Sequence, residues 1–154
     1  MNIFYLSEDP IEAAQLQYNK HVVKMPLESA QMLCTAHREY GNENVPYKAT
    51  HRNHPSAVWA RSSLLAYDWL YRHMMALGRE YTARYGKTHL AITKCSEALS
   101  FPPTGIPCVE WCQPPQSMPE KYHDECSITA YWNYYEGEKF TIATTGEQIR
   151  KRSL

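Results

Sequence analysis

Apolar residues recur at helical intervals over most of the chain. In residues 10–38 they lie three or four positions apart, and residues 55–84 carry two such stripes, so this second segment predicts the longest and most central helix. Shorter periodic segments at 90–99 and 127–135 predict two further helices. The pattern therefore predicts an all-α fold, a single helical domain over residues 1–154 with a long central helix, and it leaves short strands at the termini open.

Capping residues and prolines mark where these elements begin and end. Asp9 is a predicted N-cap for the first helix, and Asn53 or His54 is expected to cap the central one. Pro26 lies inside the first helical segment and lacks the N–H of a helical residue, so a kink or a restart is predicted there. The proline-rich stretch 101–120 predicts a long irregular loop. After the last helix, the tail from residue 139 ends basic, and its first residues suit a short strand.

Composition narrows the class of protein. The chain has 154 residues, of which 44% are hydrophobic and 21% charged, which is typical of one globular domain. No apolar run approaches the ~18 residues of a membrane span. No basic and apolar leader precedes the first helix, so we expect an intracellular protein with no membrane partner. Because the formal net charge is zero, any contact with nucleic acid must come from a local patch.

Five cysteines, odd in number and irregularly spaced, favour reduced thiols over a disulfide framework. Cys108, Cys112, His123 and Cys126 have residue types that suit zinc. The separation after Cys112, however, fits no zinc-finger pattern. We therefore expect no metal and no other cofactor, with zinc as the alternative.

The stretch HVVKMPLESAQ (residues 21–31) places three ionisable side chains on one helical stripe. His21, Lys24 and Glu28 are spaced i, i+3 and i+7, so at ~100° per residue they face the same way. A histidine, an ammonium and a carboxylate in reach of one another can exchange protons, which predicts an acid–base site. The alternative is a solvated face with one incidental ion pair.

Several other side chains are candidate contacts to phosphate or nucleic acid. On an uninterrupted central helix, Arg61, Asp68, Arg72 and Arg79 would form one polar seam, which predicts either a phosphate grip or a structural network. The full set of candidates is His51, Asn53, His54, Arg61, Arg72, Arg84, Lys87, His89, Tyr131, Tyr134 and Tyr135. For each type there is a structural alternative: helix capping for the histidines and Asn53, helix-dipole pairing for the cations, and core packing for the tyrosines. An exposed tyrosine beside Lys139 would suit base stacking.

Four segments together resemble a known family. Their order is a polar-faced first helix, a central helix opened by N-H-P, a basic helix end and an aromatic closing helix. They resemble the small phage-type pyrimidine-dimer DNA glycosylases of the endonuclease V class and a group of uncharacterised phage proteins near them. The segments are AAQLQYNKHVVKMPLESAQ (13–31), HRNHPSAVWARSSLLAYDWL (51–70), EYTARYGKTH (80–89) and AYWNYYEGEK (130–139).

The resemblance implies an all-helical fold and a specific chemistry. In that family an N-terminal α-amine attacks the sugar C1′ and forms an imine, a glutamate on the first long helix works beside it, and arginines grip phosphates. Here the amine belongs to Met1, since Asn2 is too large for efficient methionine removal. Aligning Pro26 with the family's proline puts Lys24 at the glutamate position, so Glu28, one turn later, is the nearest carboxylate.

The resemblance thus implies a phage-associated protein that acts on double-stranded DNA as a glycosylase and lyase at a damaged or modified base. If the chain is phage-encoded, it would work in the host cytoplasm. Two other functions stay open from the residues themselves. One is an enzyme acting on a free nucleotide or modified base, and the other is a non-catalytic helical module that binds nucleic acid or a host protein.

Overall fold

A computed structural model describes residues 1–142, which fold into α-helices and 3₁₀ turns without a strand. This confirms the all-α prediction. In chain order the elements are α1 (Pro10–Gln15), α2 (Asn19–Glu39), α3 (Pro55–Ala60), α4 (Leu64–Tyr85), α5 (Leu90–Cys95), a 3₁₀ turn (Glu120–Tyr122), α6 (Ser127–Gly137) and a second 3₁₀ turn (Lys139–Ile142).

The core lies between α2 and α4, which pack along each other, while α1 packs on α4 and α3 packs mainly on α2. Val22 and Leu33 of α2 and Leu70 and Leu77 of α4 are fully buried. Each side chain of this size contributes roughly 1.5–3 kcal/mol when it leaves water. The apolar stripes read from the sequence are therefore the surfaces that join the two long helices, and α4 is central as predicted.

The first helical segment breaks at residues 16–18, not at Pro26 as predicted. The Arg84 guanidinium donates to the Gln17 carbonyl at 2.8 Å and to the Gln15 carbonyl at 3.1 Å. These bonds satisfy carbonyls where α1 ends, so a break there carries little cost. Pro26 lies inside α2 without ending it, and His89 donates to the nearby Val23 carbonyl at 2.8 Å.

The central helix is also divided, which corrects the prediction of one helix over 55–84. The break falls at residues 61–63, where Ser63 caps α4 by accepting from the Ala66 N–H at 3.1 Å. The Leu64 N–H donates to the Pro107 carbonyl at 2.7 Å, a partner outside the helix. Arg61 therefore ends α3, and the polar seam predicted to join Arg61 with Arg72 does not form.

The predicted caps and shorter elements can be compared directly with the structure. Asp9 caps α1 by accepting from the Ile11 N–H, and His54 caps α3. The long loop is irregular as predicted, but the tail begins with a 3₁₀ turn and not a strand. The rest of the basic tail, 143–154, lies outside the described residues. Within residues 1–142 no helix has the length and apolarity that a membrane crossing requires.

The Arg84 contacts predict a structural role for this side chain. Replacing Arg84 with alanine should lower the free energy of unfolding by ~1–3 kcal/mol, since it leaves carbonyls at the α1–α2 junction without donors. Urea denaturation measures this change. Arg79→Ala, an exposed arginine on the same helix, is the control and should change stability by less than ~0.5 kcal/mol. If the Arg84→Ala and Arg79→Ala variants are equally stable, the proposed structural role of Arg84 is wrong.

Candidate active site at the amino terminus

The first six residues form an extended segment that is buried through the core. Ile3 and Leu6 are 1% and 2% exposed. The Trp132 indole N–H donates to the Leu6 carbonyl at 2.9 Å, and the Gln17 amide donates to the Ile3 carbonyl at 3.3 Å. Chain ends are usually poorly ordered unless something ties them down. Here contacts from α6 and from the α1–α2 junction hold this end in place.

Asn2 fixes the residue that carries the α-amine. Its side-chain oxygen accepts from the N–H groups of Ile3 and Phe4 at 2.6 and 3.0 Å, and its amide donates to the Ser117 carbonyl at 2.9 Å. Phe4 then adopts a left-handed backbone with φ of 56°. That conformation costs roughly 1–2 kcal/mol for a residue with a Cβ. The surrounding contacts hold this strained turn next to the amine.

Glu28 lies between two amines. The Met1 nitrogen is 3.4 Å from Glu28 Oε1, and Lys24 Nζ is 3.3 Å from Glu28 Oε2. The Glu28 side chain is only 10% exposed, whereas that of Lys24 is 70% exposed. The carboxylate one turn after Lys24 is therefore the one that meets the amino terminus. The i, i+4 spacing on α2 brings the lysine to its second oxygen, Oε2.

His21 lies in the same site but as a neutral ring. It stacks on Phe4 with ring centroids 4.0 Å apart, and its Nδ1 shares a 2.6 Å hydrogen bond with the Tyr135 hydroxyl. Burial, together with the charges of Lys139 and Lys24, lowers the pKa of His21 to about 3. At neutral pH the ring is uncharged. It therefore adds no positive charge beside the amine.

These groups surround an open cavity of ≈ 280 Å³. Met1, Lys24 and Glu28 line one side, and Tyr134 and Lys139 line another. Lys139 Nζ lies 5.0 Å from the centroid of the Tyr134 ring. The predicted trio on α2 thus does face one site, since His21 lines this cavity too.

Phe4 and Ser117 were not predicted as site residues, and Lys139 was considered only as the neighbour of an exposed tyrosine. All three line the cavity, and they come from the N-terminal segment, the proline-rich loop and the second 3₁₀ turn. Their only sequence signal is closeness to other candidates, Phe4 to Met1 and Lys139 to the tyrosines. Ser117 has none, because its place depends on contacts with residues far away in the chain.

The predicted phosphate contacts near α3 have different surroundings. His54 accepts from the Ser56 N–H at 3.1 Å, which is the capping alternative. Burial lowers the His54 pKa, and the positive amino terminus and His51 contribute further lowering. His54 is therefore a neighbour of the amine. His51 and Asn53 are exposed.

The basic candidates on α4 and after it do not line the cavity. Arg72 and Lys87 are exposed, and Arg61 is half-buried. Arg84 and His89 are corrected to structural roles. Arg84 binds the α1–α2 junction as described, and His89 caps α5 by accepting from the Ala91 N–H at 3.1 Å.

The tyrosines of α6 divide between core and cavity. Tyr131 and Tyr135 are 0% and 1% exposed, and the Tyr131 hydroxyl donates to the Pro115 carbonyl at 2.7 Å. This corrects the expectation that they present rings for base stacking, since α6 turns them toward the core. Tyr134 alone of the three is partly exposed.

The cysteine-rich stretch does not assemble a metal centre in the described part of the chain. Among residues 1–142, no group of three or more His, Cys, Asp or Glu side chains is placed to hold a metal ion. Cys108, Cys112 and Cys126 are exposed, free thiols.

The lowered histidine pKa values predict a stability that falls with acid. His21 and the fully buried His73, whose pKa is lowered to about 4, stay neutral in the folded state while the unfolded chain takes up protons below about 6.5. Stability should therefore fall as the pH drops from 6.5 toward 4, by up to ~1.4 kcal/mol per pH unit for each histidine. His21→Gln should flatten this slope in urea denaturation series, and His123→Gln, at an exposed position, should not. Parallel slopes for all three proteins would contradict the prediction.

Comparisons of this chain with protein-family models, with curated proteins and with solved structures give no match. What the site does is therefore inferred from its own geometry and chemistry.

Proposed function

We propose that this protein acts on DNA as a glycosylase and lyase that removes a damaged or modified base through an imine to the Met1 amine. One observation carries the proposal: the α-amine lies 3.4 Å from the buried Glu28 carboxylate at an open cavity. A nucleophilic amine needs a group that accepts its proton, and a carboxylate at this distance provides one. The resemblance to the phage pyrimidine-dimer glycosylases supports the same chemistry.

The reaction can be written with residues of this site. The Met1 ammonium gives a proton to Glu28, and the freed lone pair attacks C1′ of the deoxyribose. The N–C1′ bond forms as the bond from C1′ to the base breaks. The electron pair of the bond from C1′ to the base leaves with the base, which takes a proton from water. The new amine group on C1′ releases one proton to solvent.

Opening of the sugar ring completes the imine. Glu28 returns its proton to O4′ as the C1′–O4′ bond breaks, and a protonated imine is left between Met1 and C1′. The carboxylate, negative again, faces this cation and stabilises it at close range. The neutral His21 adds no charge that would oppose the cation.

The charge of the site supports an anionic substrate such as DNA. Among the described residues that line the cavity, the amine, Lys24 and Lys139 face one carboxylate, so the site attracts anions although the whole chain has no net charge. The expected place of action is the cytoplasm of a phage host, on the basis of the resemblance.

Borohydride trapping on an abasic duplex tests the proposal. The aldehyde of an abasic site condenses with the Met1 amine with loss of water, and borohydride reduces the imine to a stable bond. We expect a covalent protein–DNA adduct that peptide mapping assigns to Met1. Glu28→Gln should slow its formation by ~10²–10⁴-fold while circular dichroism shows the fold intact.

The controls separate chemistry from charge. Glu136→Gln, an exposed glutamate on α6, should trap at the wild-type rate. Acetylation of the α-amine should abolish trapping. An adduct that maps to Lys24, or none with a protein whose amino terminus is shown by intact mass to be free, would overturn the proposal.

Asn2 is expected to act as a positioning residue for the amine. Asn2→Leu keeps a side chain too large for methionine removal but loses three hydrogen bonds, two accepted and one donated. Trapping should slow while binding to the same duplex is unchanged, because the amine is no longer held against Glu28. Asn2→Asp retains the two accepted bonds, so its trapping rate should lie between those of the wild type and Asn2→Leu. A loss of binding equal to the loss of trapping would instead indicate a general structural role.

A further inference from the structure

The mouth of the cavity carries positive charge that the amine–glutamate pair does not use. Glu28 is the carboxylate that lines the cavity, and it is shared between Met1 and Lys24. Lys139 lines the same cavity and packs over the Tyr134 ring, and it forms no ion pair within residues 1–142. Three cationic groups therefore face one anionic group, and the surplus lies at the solvent side.

Lys24 is free to bind something other than Glu28. Its side chain is 70% exposed, so its ion pair is screened by water and contributes little to stability. The Met1 nitrogen contacts the other carboxylate oxygen, Oε1, so the two amines do not share one acceptor atom. An exposed ammonium beside a buried one is suited to meet a ligand that arrives from solvent.

Three rings that line the cavity are stacked in a row. His21, Phe4 and Tyr134 are nearly parallel, with centroids 4.0 Å apart for the first pair and 6.5 Å for the second. Lys139 covers the Tyr134 end of this row. Lys24 lines the same cavity, so both lysines border the space beside these rings.

We infer that Lys24 and Lys139 form an anion subsite at the cavity mouth, which binds a phosphate ester attached to the sugar that reacts with Met1. The subsite rests on the proposed function for the identity of that sugar. Its ligand chemistry is a phosphate group, and the group has two sources. One is a phosphodiester of DNA beside the reacting nucleotide, and the other is the phosphate of a free sugar phosphate.

Binding without chemistry tests the subsite. The first probe is a DNA duplex with one tetrahydrofuran abasic analogue, which has no aldehyde and forms no imine. Lys24→Met and Lys139→Met should each weaken its binding and reduce the slope of log K against log salt by about 1, as loss of one phosphate contact does. Replacing the adjoining phosphates one at a time by methylphosphonates should locate the contact. At the contacted phosphate, the lysine change and the neutral linkage should not add, because each removes the same interaction.

A matched control uses another lysine that packs over a tyrosine. Lys94 Nζ lies 5.7 Å from the centroid of the Tyr47 ring, outside the cavity. Lys94→Met should bind the duplex with the wild-type affinity and salt slope. This separates loss of the subsite from a general loss of positive charge.

The second probe distinguishes the sources of phosphate. Titration calorimetry compares 2-deoxyribitol 5-phosphate with 2-deoxyribitol, which are alcohols and cannot form an imine. If a free sugar phosphate is the ligand, the phosphorylated probe binds and the lysine variants lose it. If the phosphodiester of DNA is the ligand, neither small probe binds and only the duplex shows the lysine dependence.

The outcomes of these experiments test the subsite and the proposed function separately. Lysine-dependent binding of either probe, without any borohydride adduct, supports the subsite and overturns the proposed chemistry. An adduct at Met1 with salt slopes unchanged in both lysine variants overturns the subsite and leaves the chemistry standing. Equal effects of Lys94→Met and the two cavity variants also overturn the subsite.

Discussion

The burial of residues 3–6 is the constraint on which the site depends. These residues lie in the core, so the nitrogen of Met1 has little freedom to move away from Glu28. Burying four large apolar side chains favours this arrangement far more than a partly exposed ion pair could. The amine is thus held in place mainly by hydrophobic packing. Hydrogen bonds from Asn2 then set its direction.

A second consequence of the fold is a division of charge within the cavity. The interior holds one carboxylate, one amine and a histidine that burial keeps neutral. The two lysines lie where the cavity meets water. An arrangement of this kind separates two tasks, because groups that move protons are shielded while groups that attract an anion stay accessible.

Much of the fold was readable from the sequence, because helix type depends on local periodicity. The two helix breaks were not readable, since their causes are distant partners: the Arg84 guanidinium for residues 16–18 and the Pro107 carbonyl for residues 61–63. Pro26 shows the opposite case. A proline lowers helix stability locally, but packing of α2 against α4 retains the helix through it.

Part of the candidate site was likewise readable from the sequence, and part depends on distant contacts. His21, Lys24 and Glu28 share one face because all three lie on one helix, and that relation is local. The resemblance places the acid at position 24, but the carboxylate that contacts the amine is at position 28. That contact depends on the path of the first residues, which helical periodicity does not encode. Phe4, Ser117 and Lys139 belong to the site through tertiary packing alone. Arg61 is separated from the other residues of the predicted seam, because the helix breaks between it and α4.

The bond from Trp132 to the Leu6 carbonyl joins residues 126 positions apart, and the one from Tyr135 to His21 spans 114. Loop closure over such separations is slow compared with forming α2 or α4. The N-terminal segment has no completed groove to occupy until α6 packs against it. We therefore expect Met1 to settle beside Glu28 late in folding, after the long helices have formed.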